Sequence, residues 1–144
     1  MIFRFALLAT AVLMCLASLA CQNVSTPLEK TVARADEAVA TGALHTVATA
    51  QQTYSISNNS SYGTFQQLAT SGYLDSRFNS EQPALKDYVL TMEVGSAADG
   101  PYFRCHADPA GAGPQGRHFY IDSTSNFIRV NATQAASASD PITQ

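Results

Sequence analysis

The feature that most constrains the fold is an alternation of apolar and polar residues in four short segments of the second half of the chain. These segments are residues 88–95, 102–107, 117–122 and 127–131. A period of two residues is typical of strands with one face on a core and the other in solvent. The stretches between them are rich in Gly, Pro, Asn, Asp and Ser, as hairpin loops are. The sequence therefore predicts a four-stranded antiparallel meander.

One register of these strands places every apolar residue on the same face of the sheet. It sets Met92 beside Cys105, Cys105 beside Phe119, and Phe119 beside Val130. The predicted core face consists of Leu90, Met92, Val94, Phe103, Cys105, Ala107, Phe119, Ile121, Ile128 and Val130. The predicted solvent face carries Thr91, Glu93, Arg104, His106, His118, Tyr120 and Arg129. Such agreement among strands is stronger evidence than the propensity of any one of them.

A long helix is predicted ahead of the sheet. Thr26, Pro27 and Glu29 fit a capping box, with proline at the first helical position. An apolar stripe with spacings of three or four residues follows, formed by Leu28, Val32, Ala35, Val39, Ala43, Val47, Ala50 and Tyr54. A helix over 26–54 would be about 45 Å long, more than a domain of this size covers, so its first half is expected to project as a stalk. Residues 44–54 are expected to pack on the sheet.

The remaining segments complete a single α+β domain over residues 27–131. Residues 57–63 read as a loop and 65–71 as a short helix, with Gly72 as its left-handed cap. Residues 75–86 are expected to be irregular. Residues 132–144 are small and polar, and they predict a disordered tail.

The N-terminus has the pattern of a secretion signal. Arg4 precedes an apolar run over 5–17, and the small residues Ser18 and Ala20 flank Leu19 just before Cys21. Residues 1–20 are therefore predicted to be a removed signal peptide. The segment ending in Cys21 also resembles a lipoprotein cleavage motif, which makes Cys21 the candidate lipidation site. Cleavage by an ordinary signal peptidase is the alternative.

The segment after the cleavage point and the composition limit the possible partners. Residues 21–26 are polar and turn-forming, which suits a tether between a membrane and a folded domain. Of 8 basic and 11 acidic residues, only Arg4 lies in the signal, so the mature chain carries a net charge of about −4 without charge runs. Nothing in this pattern predicts a nucleic-acid partner.

The cysteines predict no internal disulfide. Cys15 lies in the signal and Cys21 would carry lipid, which leaves Cys105 without a partner. Because Cys105 falls at the centre of the apolar face, it is expected to be a buried, inert thiol.

Three stretches together resemble the type IV pilins and the pseudopilins of type II secretion. Residues 35–55, ADEAVATGALHTVATAQQTYS, are similar to the second half of the pilin helix. Residues 62–75, YGTFQQLATSGYLD, resemble the loop and short helix that follow it, and residues 103–109, 116–122 and 127–130 resemble the closing strands. The resemblance covers roughly residues 34–131 and implies a long helix laid across an antiparallel meander. The prepilin cleavage site and the apolar first half of the pilin helix are absent, so the resemblance concerns the globular domain.

This resemblance implies a structural or interaction role without catalysis. We expect a pilin-like envelope lipoprotein, anchored to the membrane through Cys21, that contacts components of a pilus, a type II secretion system or another surface assembly. The residue after the cysteine, Gln22, favours the outer membrane. The alternative localisation is periplasmic or secreted. No cofactor is expected.

The chemistry-bearing residues suggest one alternative of a different class, a small binding protein that uses the solvent face of the sheet. His106 and His118 fall opposite each other in the predicted register, with Asp108 and Asp122 nearby in sequence. Two histidines and a carboxylate are ligands for zinc, and the same face is a candidate site for a small anion.

No enzyme activity is predicted. The neighbouring residues Cys105 and His106 point to opposite faces of a strand and cannot form a catalytic pair. The glycines of residues 109–116 precede neither a Lys-Ser pair nor a helix, so they fit a hairpin loop and not a phosphate-binding loop.

Overall fold

The computed structural model describes residues 27–111 and 116–143, with side chains from residue 30 onward. The signal peptide, the tether, Cys21 and the capping residue Thr26 lie outside the described residues. The helices are α1 (Pro27–Ser57) and α2 (Phe65–Thr70), and a 3₁₀ turn spans Ser76–Phe78. The strands are β1 (Ala84–Leu85), β2 (Tyr88–Ala97), β3 (Gly100–Pro109), β4 (His118–Asp122) and β5 (Ser125–Asn131).

Helix α1 buries only its second half. From Lys30 to Val39 none of its side chains is buried, and Val32 and Val39 are 50% and 37% exposed. Burial begins at Ala40, and the helix residues that join the core cluster with the inner face of the sheet are Ala40, Ala43, Leu44, Val47, Ala48 and Ala50. Four of these six are alanines, which allow the helix backbone to lie close to the sheet. The apolar stripe that the sequence predicts is thus a core surface only from Ala40 onward.

Gln51 joins the end of α1 to the loop that follows it. Its side chain is fully buried, and its Nε2 donates to the Gly63 carbonyl at 2.6 Å while its Oε1 accepts from the Gly63 N–H at 2.9 Å. Both backbone groups of Gly63 are therefore satisfied away from water. A Cβ at Gly63 would lie 3.2 Å from the ring of Tyr54, so a larger residue would need the Tyr54 ring to shift by a few tenths of an ångström.

Helix α2 has a capping box that the sequence analysis did not identify. The Thr64 hydroxyl accepts from the Gln67 N–H, and the Gln67 side chain accepts from the Thr64 N–H. At the other end the predicted left-handed cap is confirmed, because Gly72 has φ of 78° and the Tyr73 N–H donates to the Leu68 carbonyl. The helix ends at Thr70, close to the predicted boundary.

Within the described residues the sheet has five antiparallel strands in the order β1-β2-β3-β4-β5, so the α+β class is found but the predicted four-stranded sheet is wrong. The additional strand, Ala84–Leu85, lies in the segment expected to be irregular. Two residues are too few to show an alternation, and the strand is defined by its pairing with Val89 and Tyr88. The tight connection places Lys86 at a φ of 55°.

The predicted register is right for the pairs β2–β3 and β4–β5 and wrong for the pair β3–β4. Met92 pairs with Cys105, and Phe119 pairs with Val130, as expected. Cys105, however, pairs with Ile121, two residues beyond the predicted Phe119. A slip of two residues leaves every side chain on its original face, so the alternation could not distinguish these registers.

The segment predicted to be a disordered tail instead follows the edge of β5. Ile142 forms an antiparallel bridge with Arg129, the Val130 N–H donates to the Pro141 carbonyl, and the Thr143 N–H donates to the Ile128 carbonyl. Ala136 is 1% exposed. Small polar residues gave no periodic signal, but the unpaired backbone of an edge strand supplies hydrogen-bonding partners that do not depend on side chains.

An ion pair links α1 to the residue before β4. Arg117 donates to the Glu37 carboxylate from its guanidinium, at 2.8 Å for the shortest bond, and from its own N–H at 3.1 Å. Burial raises the pKa of Glu37, but the hydrogen bonds from Arg117 outweigh it, so the net pKa lies below the ordinary value of 4.5.

Gln51→Ala is expected to lower the free energy of unfolding by about 2–4 kcal/mol, because it leaves two buried backbone groups of Gly63 unpaired. Urea denaturation followed by circular dichroism measures the change. Gln52→Ala is the matched control, since Gln52 makes an exposed hydrogen bond with Asn126, and its expected cost is within about 0.5 kcal/mol. Equal losses in the two variants would contradict the structural role of Gln51.

Glu37→Gln is expected to remove part of the acid sensitivity of the fold. Because the folded pKa of Glu37 is lowered, its contribution is complete above the ordinary pKa of 4.5 and is lost as the pH falls through the folded pKa. At pH 7 the variant should be less stable than the wild type by roughly 1 kcal/mol, and the gap should close at lower pH. Urea titrations at a series of pH values test this, and a gap independent of pH would contradict it.

Candidate functional site

The three metal-ligand candidates do not converge. His106 pairs with Tyr120 and not with His118, because β3 and β4 pair two residues away from the predicted register. Asp122 lies at the far end of β4 from His118 and pairs with Arg104. Within residues 27–111 and 116–143, no group of three or more His, Cys, Asp and Glu is arranged to hold a metal ion. The predicted opposition of His106 and His118 is therefore wrong.

His118 is paired with Asp108. Its Nδ1 lies 2.6 Å from Oδ1 of Asp108, and the two side chains are 23% and 32% exposed. This contact joins the ends of β3 and β4 beside the 109–116 loop, which lies partly outside the described residues. The contact orients the imidazole ring of His118 and occupies Oδ1 of Asp108.

Asp122 holds the hairpin between β4 and β5. Its Oδ1 accepts the backbone N–H groups of Thr124 and Ser125 at 2.9 and 3.1 Å, and its Oδ2 accepts the Tyr120 hydroxyl at 2.9 Å. The residue is only 8% exposed. With three donors already bound, its carboxylate has a local structural role of the kind that aspartate often has in turns.

The face of the sheet opposite the core, called here the outer face, is more covered than its polar residues predict. Tyr120 is 4% exposed, and burial together with the hydrogen bond to Asp122 raises its pKa to about 12. Arg129, opposite Tyr120, donates from its guanidinium to the Asp140 carbonyl in the tail at 2.8 Å. The tail therefore crosses part of the outer face that the sequence predicts to be open to solvent.

His106 has an unpaired nitrogen on this face. Its ring lies edge-on to Tyr120, with 4.9 Å between the ring centroids. Its Nδ1 is buried and has no hydrogen-bond partner among the described residues. A buried polar atom without a partner costs about 1–3 kcal/mol, so such atoms call for an explanation.

A cleft of about 450 Å³ opens on the outer face beside His106. Its lining residues are Glu93, Tyr102, Phe103, Arg104, His106, Tyr120, Asp122, Ser123, Thr124, Ser137 and Ala138. The cleft contains two of the three candidate residues, His106 and Asp122, and it excludes His118. Sequence reasoning missed the contribution of the tail, because the tail reaches this face only by pairing with β5.

The side chains of Glu93, Tyr102 and Arg104 contact one another at one side of the cleft. The Tyr102 hydroxyl donates to Glu93 at 2.6 Å, and the Arg104 guanidinium lies over the Tyr102 ring at 4.8 Å from its centroid. Arg104 also approaches Glu93, but at a long 3.5 Å. The predicted alternation placed Glu93 and Arg104 on this face, and no sequence signal indicated the cleft itself.

Cys105 lies on the inner face and is fully buried. Burial raises the pKa of its thiol far above the ordinary value of 9.0, so the thiolate needed for nucleophilic chemistry is suppressed. Its neighbour His106 faces the opposite side of the sheet, as the sequence predicts.

In the part of the chain that the structure describes, no helix combines the length and apolar character needed to cross a bilayer.

Comparison of the chain with protein-family models, with curated proteins and with solved structures gives no match in any of the three.

Asp122→Ala is expected to lower the free energy of unfolding by about 1–3 kcal/mol, because two turn N–H groups and the Tyr120 hydroxyl lose their acceptor. Asp122→Asn keeps one acceptor oxygen for the turn and should cost less. Asp99→Ala, in the exposed turn between β2 and β3, is the control and should change stability by less than about 0.5 kcal/mol. Thermal and urea denaturation measure these differences, and an Asp122→Ala variant as stable as Asp99→Ala would contradict the assigned role.

Proposed function

We propose that this protein is a non-enzymatic, pilin-like envelope lipoprotein that displays an interaction domain from a membrane anchor at Cys21. Its partners would be components of a pilus, a type II secretion system or another surface assembly. The observation that carries the proposal is the uneven burial of α1, whose residues from Lys30 to Val39 have no buried side chain while its second half joins the core.

The exposed part of α1, residues 30–39, carries apolar and charged side chains that could bind a partner protein. Val32 and Val39 are exposed apolar residues on a helix that continues into the folded domain without a break. On the same stretch, Lys30 and Arg34 are basic and Asp36 and Glu37 are acidic, and Glu37 is bound by Arg117. A continuous helix is a semi-rigid spacer of about 1.5 Å per residue, which suits a domain held at a distance from its anchor.

The sequence at the N-terminus supports the anchor. An apolar run that ends just before Cys21 fits a removed signal followed by a lipidated first residue. One acyl chain binds a membrane only marginally, and stable attachment takes a second hydrophobic signal. The proposal therefore requires more than one acyl chain on Cys21, and Gln22 supports sorting to the outer membrane.

The arrangement of the side chains gives little support to the alternative of a metal- or anion-binding protein on the outer face. Both carboxylate oxygens of Asp122 already accept hydrogen bonds, and His106 pairs with Tyr120 whereas His118 contacts Asp108. For an anion, the carboxylates of Glu93 and Asp122 in the same cleft oppose the positive charge of Arg104. The display role therefore remains the better supported of the two.

Metabolic labelling of cells with a fatty-acid probe tests the anchor. The wild-type protein should carry the label and fractionate with membranes, whereas Cys21→Ala should lose the label and leave the membrane fraction. Cys105→Ala is the matched control, because it removes the remaining cysteine of the mature chain from the buried core and should keep the label.

Two results would contradict the proposal. If the label persists unchanged in Cys21→Ala, the protein is not anchored by a lipid on Cys21. If a deletion strain shows normal piliation, normal secretion and normal surface adhesion, the proposed interaction role is wrong, even if the anchor is correct.

A further inference from the structure

The cleft on the outer face is bounded by three separate parts of the chain. The side chains of Tyr102 and Arg104 form one side. The turn Ser123–Thr124 forms a second side, and the tail residues Ser137 and Ala138 form a third. His106 and Tyr120 lie between them on adjacent strands. With about 450 Å³, the cleft falls in the range of roughly 300–1,000 Å³ that is typical of small-molecule sites.

The charges in the cleft select against ions. Two carboxylates, Glu93 and Asp122, face one guanidinium, Arg104, so an anion meets net negative charge. A divalent cation needs several free oxygen or nitrogen ligands, and the Asp122 carboxylate is already bound by three donors. A neutral ligand avoids both penalties.

The hydrogen-bonding capacity left in the cleft is mixed. Among the described residues, the Arg104 side chain makes one hydrogen bond, at a long 3.5 Å, although a guanidinium has five N–H donors. The Glu93 carboxylate retains acceptor capacity, and the buried Nδ1 of His106 has no hydrogen-bond partner among the described residues. Hydroxyl groups both donate and accept, so a ligand with several hydroxyls is complementary to this combination.

Flat side chains add an apolar contribution. The His106 and Tyr120 rings meet edge to face, and the Arg104 guanidinium lies over the Tyr102 ring, 4.8 Å from its centroid. Planar surfaces of this kind pack against the C–H faces of a ring. Because Nδ1 is covered in the unliganded state, it reaches a ligand only if the His106 ring rotates about its Cβ–Cγ bond.

We propose that the outer-face cleft is a binding site for a neutral, hydroxyl-rich ring, that is, an uncharged sugar or a sugar unit of a glycan. Arg104 and Glu93 would bind neighbouring hydroxyls, and His106 would bind a third. This proposal is independent of the anchor at Cys21, because it concerns a different surface and is tested by a different measurement.

Amide chemical shifts of the ¹⁵N-labelled mature protein test the site. The probes are glucose, N-acetylglucosamine and cellobiose as neutral sugars, with sodium acetate, phosphate and zinc chloride as charged competitors. At least one neutral sugar should shift resonances of Arg104, His106, Thr124 and Ala138, with a dissociation constant in the millimolar range. The charged probes should leave these resonances in place.

His106→Phe and Arg104→Met should each weaken that binding about tenfold, because each keeps the bulk of the side chain and removes its hydrogen-bonding groups. Arg77→Met is the matched control, since Arg77 is an exposed arginine paired with Asp75 away from the cleft, and it should bind as the wild type does. Amide spectra without ligand verify that each variant is folded.

Three results would overturn the proposal. The first is that no neutral sugar moves a cleft resonance at the highest soluble concentration. The second is that acetate, phosphate or zinc moves these resonances while the sugars do not. The third is that both cleft variants bind the sugar as tightly as Arg77→Met.

Discussion

The two hydrogen bonds between the Gln51 side chain and the backbone of Gly63 are the constraint on which the helix–sheet arrangement depends. They place the loop after α1 against the end of that helix, and the Nε2 of Gln51 also lies 3.2 Å from the sulfur of Met92 on β2. A polar side chain is tolerated in this buried position because both its amide nitrogen and its amide oxygen have hydrogen-bond partners. Tyr54, one helical turn further on, contacts the Tyr73 ring edge-on.

The outer face shows how a polar surface becomes a site without a recognisable motif. Several of its side chains have an ordinary structural explanation when taken alone, such as the turn at Asp122 or the pair of His118 and Asp108. A cleft appears because the tail returns along β5 and provides one of its sides. The edge of β5 thus serves two purposes, since its pairing with the tail satisfies backbone groups and also shapes the surface above Tyr120.

The mixture of correct and incorrect predictions has a common physical origin. The faces of the strands follow from a period of two, and the buried residues Leu90, Phe103 and Phe119 lie on the predicted side. The pairing of β3 with β4 does not follow, because registers that differ by two residues bury the same side chains. The observed pairing places His118 beside Asp108 and not opposite His106, so an error of two residues in the predicted register removed His118 from the candidate site. The strand at Ala84–Leu85 was missed because it is defined by its partner and not by its own pattern.

The sequence by itself determined the α+β class, the long α1, the inner face of the sheet and the burial of Cys105, because periodicity and turn chemistry are local properties. It also carries an apolar run that ends just before Cys21, the pattern from which we propose a removed signal. Only the tertiary structure decided which residues of the outer face are neighbours, where the tail lies and that burial of α1 begins at Ala40. These outcomes depend on contacts between residues far apart in the chain, such as Gln51 with Gly63 and Arg129 with Asp140, whose partners no local pattern specifies.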